Sequence, residues 1–280
     1  MKFLLIFFIF YSQIYSKSLD TLNSNNNDSY FQKIWNDLKI AKNDGLEISN
    51  NIINPTLNDF IKISAVAVGT GVIYFADNNT RRTSYKINST EDKLFYYTGN
   101  FGNLIYPIIF SSTIYGTGLF SNSIELRTTG RQLFEALAMS GIITTSLKYI
   151  TGRSRPYTND IHSNFRFFQY KNEYLSFPSG HTTVAFAFST IIAERINRWW
   201  ASVFLYGLSC STGYSRIYYD QHWLSDVFLG ACVGYFSARS ILNIDKSNNK
   251  SFSDNVEKES FFNKIQFKIT LNKIQFVYIF

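Results

Sequence analysis

The chain has 280 residues, enough for one large domain or a domain with appendages, and carries a formal charge of +7. Hydrophobic residues make up 45% and aromatic residues 18%, a balance between a water-soluble protein and a chain that lives wholly in lipid. The positive residues are scattered rather than gathered into a stripe, which argues against a nucleic-acid partner and suits an anionic substrate or an anionic membrane surface.

Met1-Lys2 followed by the apolar stretch Phe3 to Tyr11, with small Ser16 after it, reads as a secretory signal peptide over 1–16. An uncleaved anchor is the alternative, because Ile14 is bulky for three positions before a cut; either way the chain is expected to leave the cytoplasm. Residues 17–28, rich in Ser and Asn, read as a tether. Phe31, Ile34, Trp35 and Leu38 then recur at helical spacing behind Asp28-Ser29, predicting an amphipathic helix that ends near Gly45. Its apolar face is expected to pack on the main bundle or on a membrane surface, and 17–60 is read as tether plus helix.

Apolar runs follow at 63–76, at 94–124 with Pro107 as an expected kink, and at 132–147, which carries Glu135 and ends at Lys148 before the stop signal Gly152. Three more occupy 177–193, 199–215 and 227–238. All are rich in Ala, Gly, Ser and Thr, which lets helices approach closely. The expected fold is all-α, a bundle of about six core helices over 61–242. Cys210 and Cys232 read as buried free thiols, with a disulfide between neighbouring helices as the alternative. Residues 243–259 turn polar. The alternation Ile265, Phe267, Ile269, Leu271 and then Ile274, Phe276, Tyr278, Phe280 predicts a hairpin near Asn272, so 243–280 is read as linker and hairpin.

Within the bundle stand three short blocks in order: Lys148, Arg155 and Pro156 as K-x6-R-P; Pro178, Ser179, Gly180 and His181 as P-S-G-H; Ser215, Arg216, His222 and Asp226 as S-R-x5-H-x3-D. Two of the chain's three histidines are here. His222 and Asp226, four apart, would share a helix face, where a carboxylate on one imidazole nitrogen leaves the other free to attack. His181 opens an apolar run just past Gly180. A helix start there exposes backbone N–H groups to an anion, Ser179 adds a hydroxyl, and His181 can protonate a departing alkoxide. Lys148, Arg155 and Arg216 supply the fixed cations that phosphoryl transfer needs when no metal is present.

These blocks resemble those of the type 2 phosphatidic acid phosphatase and vanadium haloperoxidase superfamily, whose pattern is matched at every position, over roughly residues 90 to 242. The resemblance implies a site at the end of a helical bundle. In it His222 is the nucleophile that forms a phosphohistidine, Asp226 supports it, and His181 is first acid and then base for the hydrolytic water. Lys148, Arg155, Ser179, Gly180 and Arg216 bind the phosphate oxygens. No metal or other cofactor is implied, except vanadate should the chain be a haloperoxidase.

Outside the blocks, Arg153 is expected at the surface, with a second phosphate as its alternative partner, and His162 is expected to be exposed. Tyr218, Tyr219 and Trp223 read as a lipid-lining lip or as core aromatics, and Glu135 as paired inside the bundle. If all six runs spanned a membrane, the third would deliver Lys148 to the cytoplasm. The 63–76 run, however, is shorter than the roughly 17 to 25 residues of a span. With that run not spanning, the third run would exit outward; the short charge-free core of the last run (227–238) and Glu135 favour instead a periplasmic bundle associated with the membrane, with true spans as the alternative and the site extracytoplasmic in both. The function expected is a metal-independent phosphatase acting on a phosphorylated lipid or small phosphate ester. A vanadate-dependent haloperoxidase and a non-catalytic envelope protein are the alternatives.

Overall fold

The computed structural model describes Ile14 and residues 29–84, 92–263, 265–270 and 273–278. Apart from Ile14, the expected signal peptide and tether lie outside the described residues. The chain divides into two compact units, one reaching to Ile241 and the other running from Leu242 to Phe280.

In the first unit, α1 (Tyr30–Ile53) opens with a capping box between Ser29 and Gln32 and runs through Gly45, where the sequence had predicted its end. Its apolar face does not pack on the bundle, the first of the two partners expected for it. Phe31, Trp35 and Leu38 are 74%, 51% and 56% exposed, whereas Lys33, Asp37 and Asp44 are buried. The polar edge is the packed one because the bundle offers it charges. Asp37 accepts from Arg127 at 3.0 Å and from the Tyr115 hydroxyl at 2.8 Å. Asp44 meets Arg131 at 2.5 Å, and Arg131 also pairs with Glu135 at 2.8 Å, which is the partner expected for that carboxylate.

A Thr56–Asp59 capping box starts α2 (Leu57–Tyr74), in which no residue is buried. The apolar run is thus extended by a turn and a half, and its 18 residues span roughly 27 Å. Among the described residues two helical segments are long and apolar enough to cross a membrane, Leu57–Tyr74 and Leu224–Ser247. The helix that carries most of the 63–76 run is thus long enough to span by length and composition, which the run alone was not. A short α3 (Asp77–Ser84) follows, and beyond the undescribed residues 85–91 comes α4 (Asp92–Phe101). The long 94–124 run is two helices, because the chain breaks at 102–104 before α5 (Ile105–Phe120). Pro107 lies in the first turn of α5, where its missing N–H has no intrahelical partner to lose, so it makes no kink.

The bundle is completed by α6 (Ile124–Thr151), α7 (Gly180–Ile196), α8 (Trp199–Tyr218) and α9, which starts at Leu224 and runs through the unit boundary to Asn263. Adjacent pairs pack as α5 on α6, α6 on α7, α7 on α8 and α4 on α8. Phe188 at the centre meets Phe101 and Phe110 edge to face, within a core that includes Ile114, Leu126, Leu133, Ile191 and Leu205. The start of α9 comes so close to α7 that a Cβ on Gly230 would stand 2.6 Å from the Ser179 carbonyl. Both cysteines are free; Cys210 is exposed and Cys232 half-buried, so neither is the buried thiol expected. In the second unit, Ile265–Thr270 and Lys273–Tyr278 pair antiparallel, with Ile265 opposite Tyr278.

Candidate active site

Four element ends meet where the three blocks converge: the C-termini of α6 and α8 and the N-termini of α7 and α9. Lys148 sits in the last turn of α6 and donates to the carbonyls of Leu175 and Ser176. Gly152 then ends the helix at φ +56°, with a Cβ position only 1.6 Å from the Arg166 carbonyl oxygen, so only glycine fits this turn. The segment after it is held on both sides. Ser154 N donates to Asn164 O at 3.0 Å, and Ser176 N donates to Arg153 O at 3.1 Å. Arg155 emerges from this strip, fixed by Asn172 (2.8 Å to Oδ1, 2.9 Å to O) and by Gln221 Oε1 at 3.0 Å.

Ser179 is the N-cap of α7, and its own N–H donates to the Asp226 carbonyl at 2.9 Å, tying the second block to the third. Gly180 borders Lys148, whose Cε lies 3.8 Å from where a Cβ would stand. His181 is pushed down to about 4 by burial and by the charges of Arg216, Arg155 and Lys148. Lys148 is itself pushed down to about 7, by burial and then by Arg155. Three cations therefore face one another around His181 among these described residues, an arrangement that favours an anion between them.

His222 is buried, and its Nδ1 lies 3.6 Å from Asp226 Oδ2. The pairing does not come from a shared helix face, because α9 starts only at Leu224. Trp223 stands just before that helix, and the Asp226 carboxylate in the first turn reaches back to its N–H at 2.9 Å, as in a capping box. The same oxygen accepts from Ser176 Oγ at 2.5 Å. With Nδ1 turned to the carboxylate, Nε2 carries the free lone pair. Burial, then the Lys148 and Arg155 charges, hold His222 down to about 3 against the opposing pull of Asp226, so the ring is neutral at physiological pH.

The structure thus brings together Lys148, Arg155, Ser179, Gly180, His181, Arg216, His222 and Asp226. Arg153 corrects the expectation of a surface role: it is fully buried and paired with Asp226 at 2.6 Å and Asp77 at 2.7 Å. The loop after it folds back over the strip instead of leaving it in solvent. His162 is half-buried rather than exposed, stacked on Tyr74 at 4.7 Å and held by Asn78 at 2.8 Å. Trp223 is 2% exposed and donates to the Ser154 carbonyl at 2.9 Å, which makes it core rather than lip. Tyr218 and Tyr219, half-buried, meet edge to face, and Tyr218 also meets Phe95. Sequence reasoning missed Ser176 and Asp77; their only signals were a hydroxyl two residues before Pro178 and a charge ending an apolar run.

Residues 129–250 match the family model described as the PAP2 superfamily, a stretch that contains all three blocks. This part of the chain is similar to PAP2-superfamily domains. Over 100 residues, 35% of this chain and 20% of the relative, it is 39% identical to a lipid A 1-phosphatase of Porphyromonas gingivalis. A lipid A 1-phosphatase of Rhizobium etli is 32% identical over 113 residues, 39% of this chain and 47% of the relative. The chain therefore spans less than half the length of either curated relative. The crystal structure of a transmembrane PAP2-type phosphatidylglycerolphosphate phosphatase from Bacillus subtilis superposes with a TM-score of 0.54 at 17% identity. That match covers 66% of this chain and 96% of the other, a likeness of fold.

Proposed function

We propose that the chain is a phosphatase that hydrolyses a lipid-linked phosphate monoester or diphosphate through a phosphohistidine on His222. The observation that carries this reading is His222 with its Nδ1 against Asp226 at 3.6 Å, close enough to Lys148 and Arg155 to feel the charges that also surround His181. In the first step Nε2 of His222 attacks phosphorus, the P–N bond forms, and the P–O bond to the alcohol breaks as His181 gives its proton to the leaving oxygen. In the second, His181 takes a proton from water, whose oxygen attacks phosphorus and breaks the P–N bond. Lys148, Arg155, Arg216, the Ser179 hydroxyl and the N–H groups at the start of α7 hold the equatorial oxygens in both steps. These donors supply the charge that a metal would otherwise bring, so the activity is proposed to need none.

His181 must be protonated to act first as an acid, yet in the anion-free site it titrates at about 4. Burial is the larger cause and remains, but a phosphate dianion among the three cations offsets their field and itself favours the imidazolium, so substrate binding helps to arm the acid. A lipid substrate fits the apolar flanks: α2 has no buried residue, and Trp199, Val203 and Phe204 on α8 are also exposed. The 1-phosphate of lipid A, on which the two relatives are named to act, is the first substrate to test.

We place the reaction outside the cytoplasm. One geometric constraint bears on that. Counted along α6 from Arg131 to Lys148, the α1 anchor and the site are roughly 25 Å apart, and α2 leads from one to the other. If α2 spans a membrane, α1 and the site lie on opposite faces; if nothing spans, both are exported together. Labelling single cysteines introduced in α1 and near Tyr157, with and without membrane permeabilisation, separates the two. The function itself is tested by phosphate release from a panel of lipid and soluble phosphates, with and without a chelator. Turnover that survives chelation and is abolished in His222→Ala is expected; chelator-sensitive turnover that survives His222→Ala would overturn the reading.

A further inference from the structure

The carboxylate beside the nucleophile is gripped by Arg153, which is held in turn by Asp77, a residue that the family match does not reach. Arg153 donates from NH1 to Asp226 Oδ1 at 2.6 Å and from NH2 to Asp77 Oδ2 at 2.7 Å, and none of the three side chains touches solvent. Its Nε donates to the His162 carbonyl at 2.9 Å, and NH1 also reaches Ser225 Oγ at 2.8 Å. Tyr74, Phe165, Phe177 and Trp223 wall the guanidinium at 5.1 to 5.8 Å. Asp77 in turn accepts from the N–H of Ser225 at 2.9 Å and from its hydroxyl at 2.7 Å, so it touches the residue next to Asp226.

A second grip lies one turn along α3. Arg81 pairs with Asp220 at 2.7 Å, in the loop between Arg216 and His222, and lies 5.6 Å over the Trp223 ring. The third block is therefore held on both sides of His222, at Asp220 and at Ser225-Asp226, by a helix of eight residues. Burying two carboxylates and a guanidinium costs several kcal/mol per ion before pairing repays it, so well-packed apolar residues would serve stability as well. What apolar packing would not supply is a fixed, ionised carboxylate against His222 Nδ1.

We propose that Asp77 and Arg153 are positioning residues for the phosphatase reaction, acting through Asp226 on the tautomer and aim of His222. The inference rests on the phosphatase reading above. The charged and titratable groups that face Asp226 are Arg153, His222, Lys148 and Arg155, with Asp77 behind Arg153. Removing the Arg153 charge therefore leaves Asp226 easier to protonate, and the acid limb of the activity moves to higher pH.

The test uses full-length protein and two readouts, turnover and nitrogen NMR of the histidine rings. Asp77→Asn keeps its volume and an acceptor for Ser225; it is expected to lower kcat by about tenfold or more while KM stays within about twofold. Arg153→Met is expected to shift the acid limb of kcat/KM upward by about one pH unit, and Arg153→Lys to restore it. In the NMR spectrum the wild type is expected to hold His222 with its proton on Nδ1, and Asp77→Asn to mix the tautomers. If Arg153→Met does not fold, Asp77→Asn decides. Less folded protein with wild-type kcat, pH profile and tautomer would overturn the proposal. Absence of wild-type turnover would instead overturn the phosphatase reading, leaving the tautomer result to judge the positioning.

Discussion

Lys148 gives the sharpest test of the cluster's electrostatics. In the anion-free site it is pushed down to about 7 from an ordinary 10.5, by burial and by the Arg155 guanidinium. An anion lodged among Lys148, Arg155 and Arg216 offsets the Arg155 charge and pairs with the buried ammonium, so that Lys148 rises towards its ordinary value although it stays buried. Below pH 7 the ammonium is already charged, and Lys148 takes up no proton on binding. Above pH 7 each binding event must bring one, which weakens binding by about 1.4 kcal/mol, or tenfold, per pH unit. Sulfate is the suitable probe because it remains a dianion throughout this range. Its inhibition constant, measured by competition with substrate, is expected to gain from Lys148 a rise of about 100-fold between pH 7 and 9, beyond any slope that proton uptake by His181 gives at lower pH. Lys148→Met is expected to bind sulfate weakly with no such slope. A wild-type constant that stays level from pH 7 to 9 would refute the picture of a desolvated Lys148 awaiting an anion.

Three further outcomes are expected. His181→Ala lowers kcat by about 100- to 10,000-fold for an alkyl phosphate but far less for a nitrophenyl phosphate, whose leaving group needs no proton; equal losses would remove His181 from the acid's place. Gly152→Ala, forced to φ +56° with its methyl against the Arg166 carbonyl, costs upwards of about 2 kcal/mol and lowers the melting temperature. An unchanged melting curve would contradict the turn described. Asp44→Ala strips Arg131 of one of its two buried carboxylates and destabilises by about 3 kcal/mol. It should leave the kcat of the folded fraction unchanged, because the contact lies at the far end of α6; a changed kcat would argue against that separation.

The site was legible in the sequence because its residues are fixed by local spacing. Lys148, Arg155 and His181 each sit beside a helix end or turn that a Gly or Pro marks (Gly152, Pro156, Gly180), and Arg216 and His222 are set by their spacing to Asp226. What surrounds them was not legible. The Asp77–Arg153–Asp226 chain joins positions 77, 153 and 226 through pairing that no local pattern signals, and so Arg153 read as a surface residue. The α1 stripe of Phe31, Trp35 and Leu38 has a clear helical period, but period says only that two faces differ. Which one packs was decided by Arg127 and Arg131 on α6. His222 and Asp226 have a spacing that suggests a helix, whereas a cap joins them, because α9 begins between the two.

The central claim is a covalent phosphate on His222. Rapid quenching of the full-length enzyme with a labelled phosphate ester, followed by mass analysis, is expected to find a phosphorylated peptide containing His222, stable in alkali and lost in acid, that is absent in His222→Ala. A label on another residue, or wild-type turnover by His222→Ala, would contradict the account.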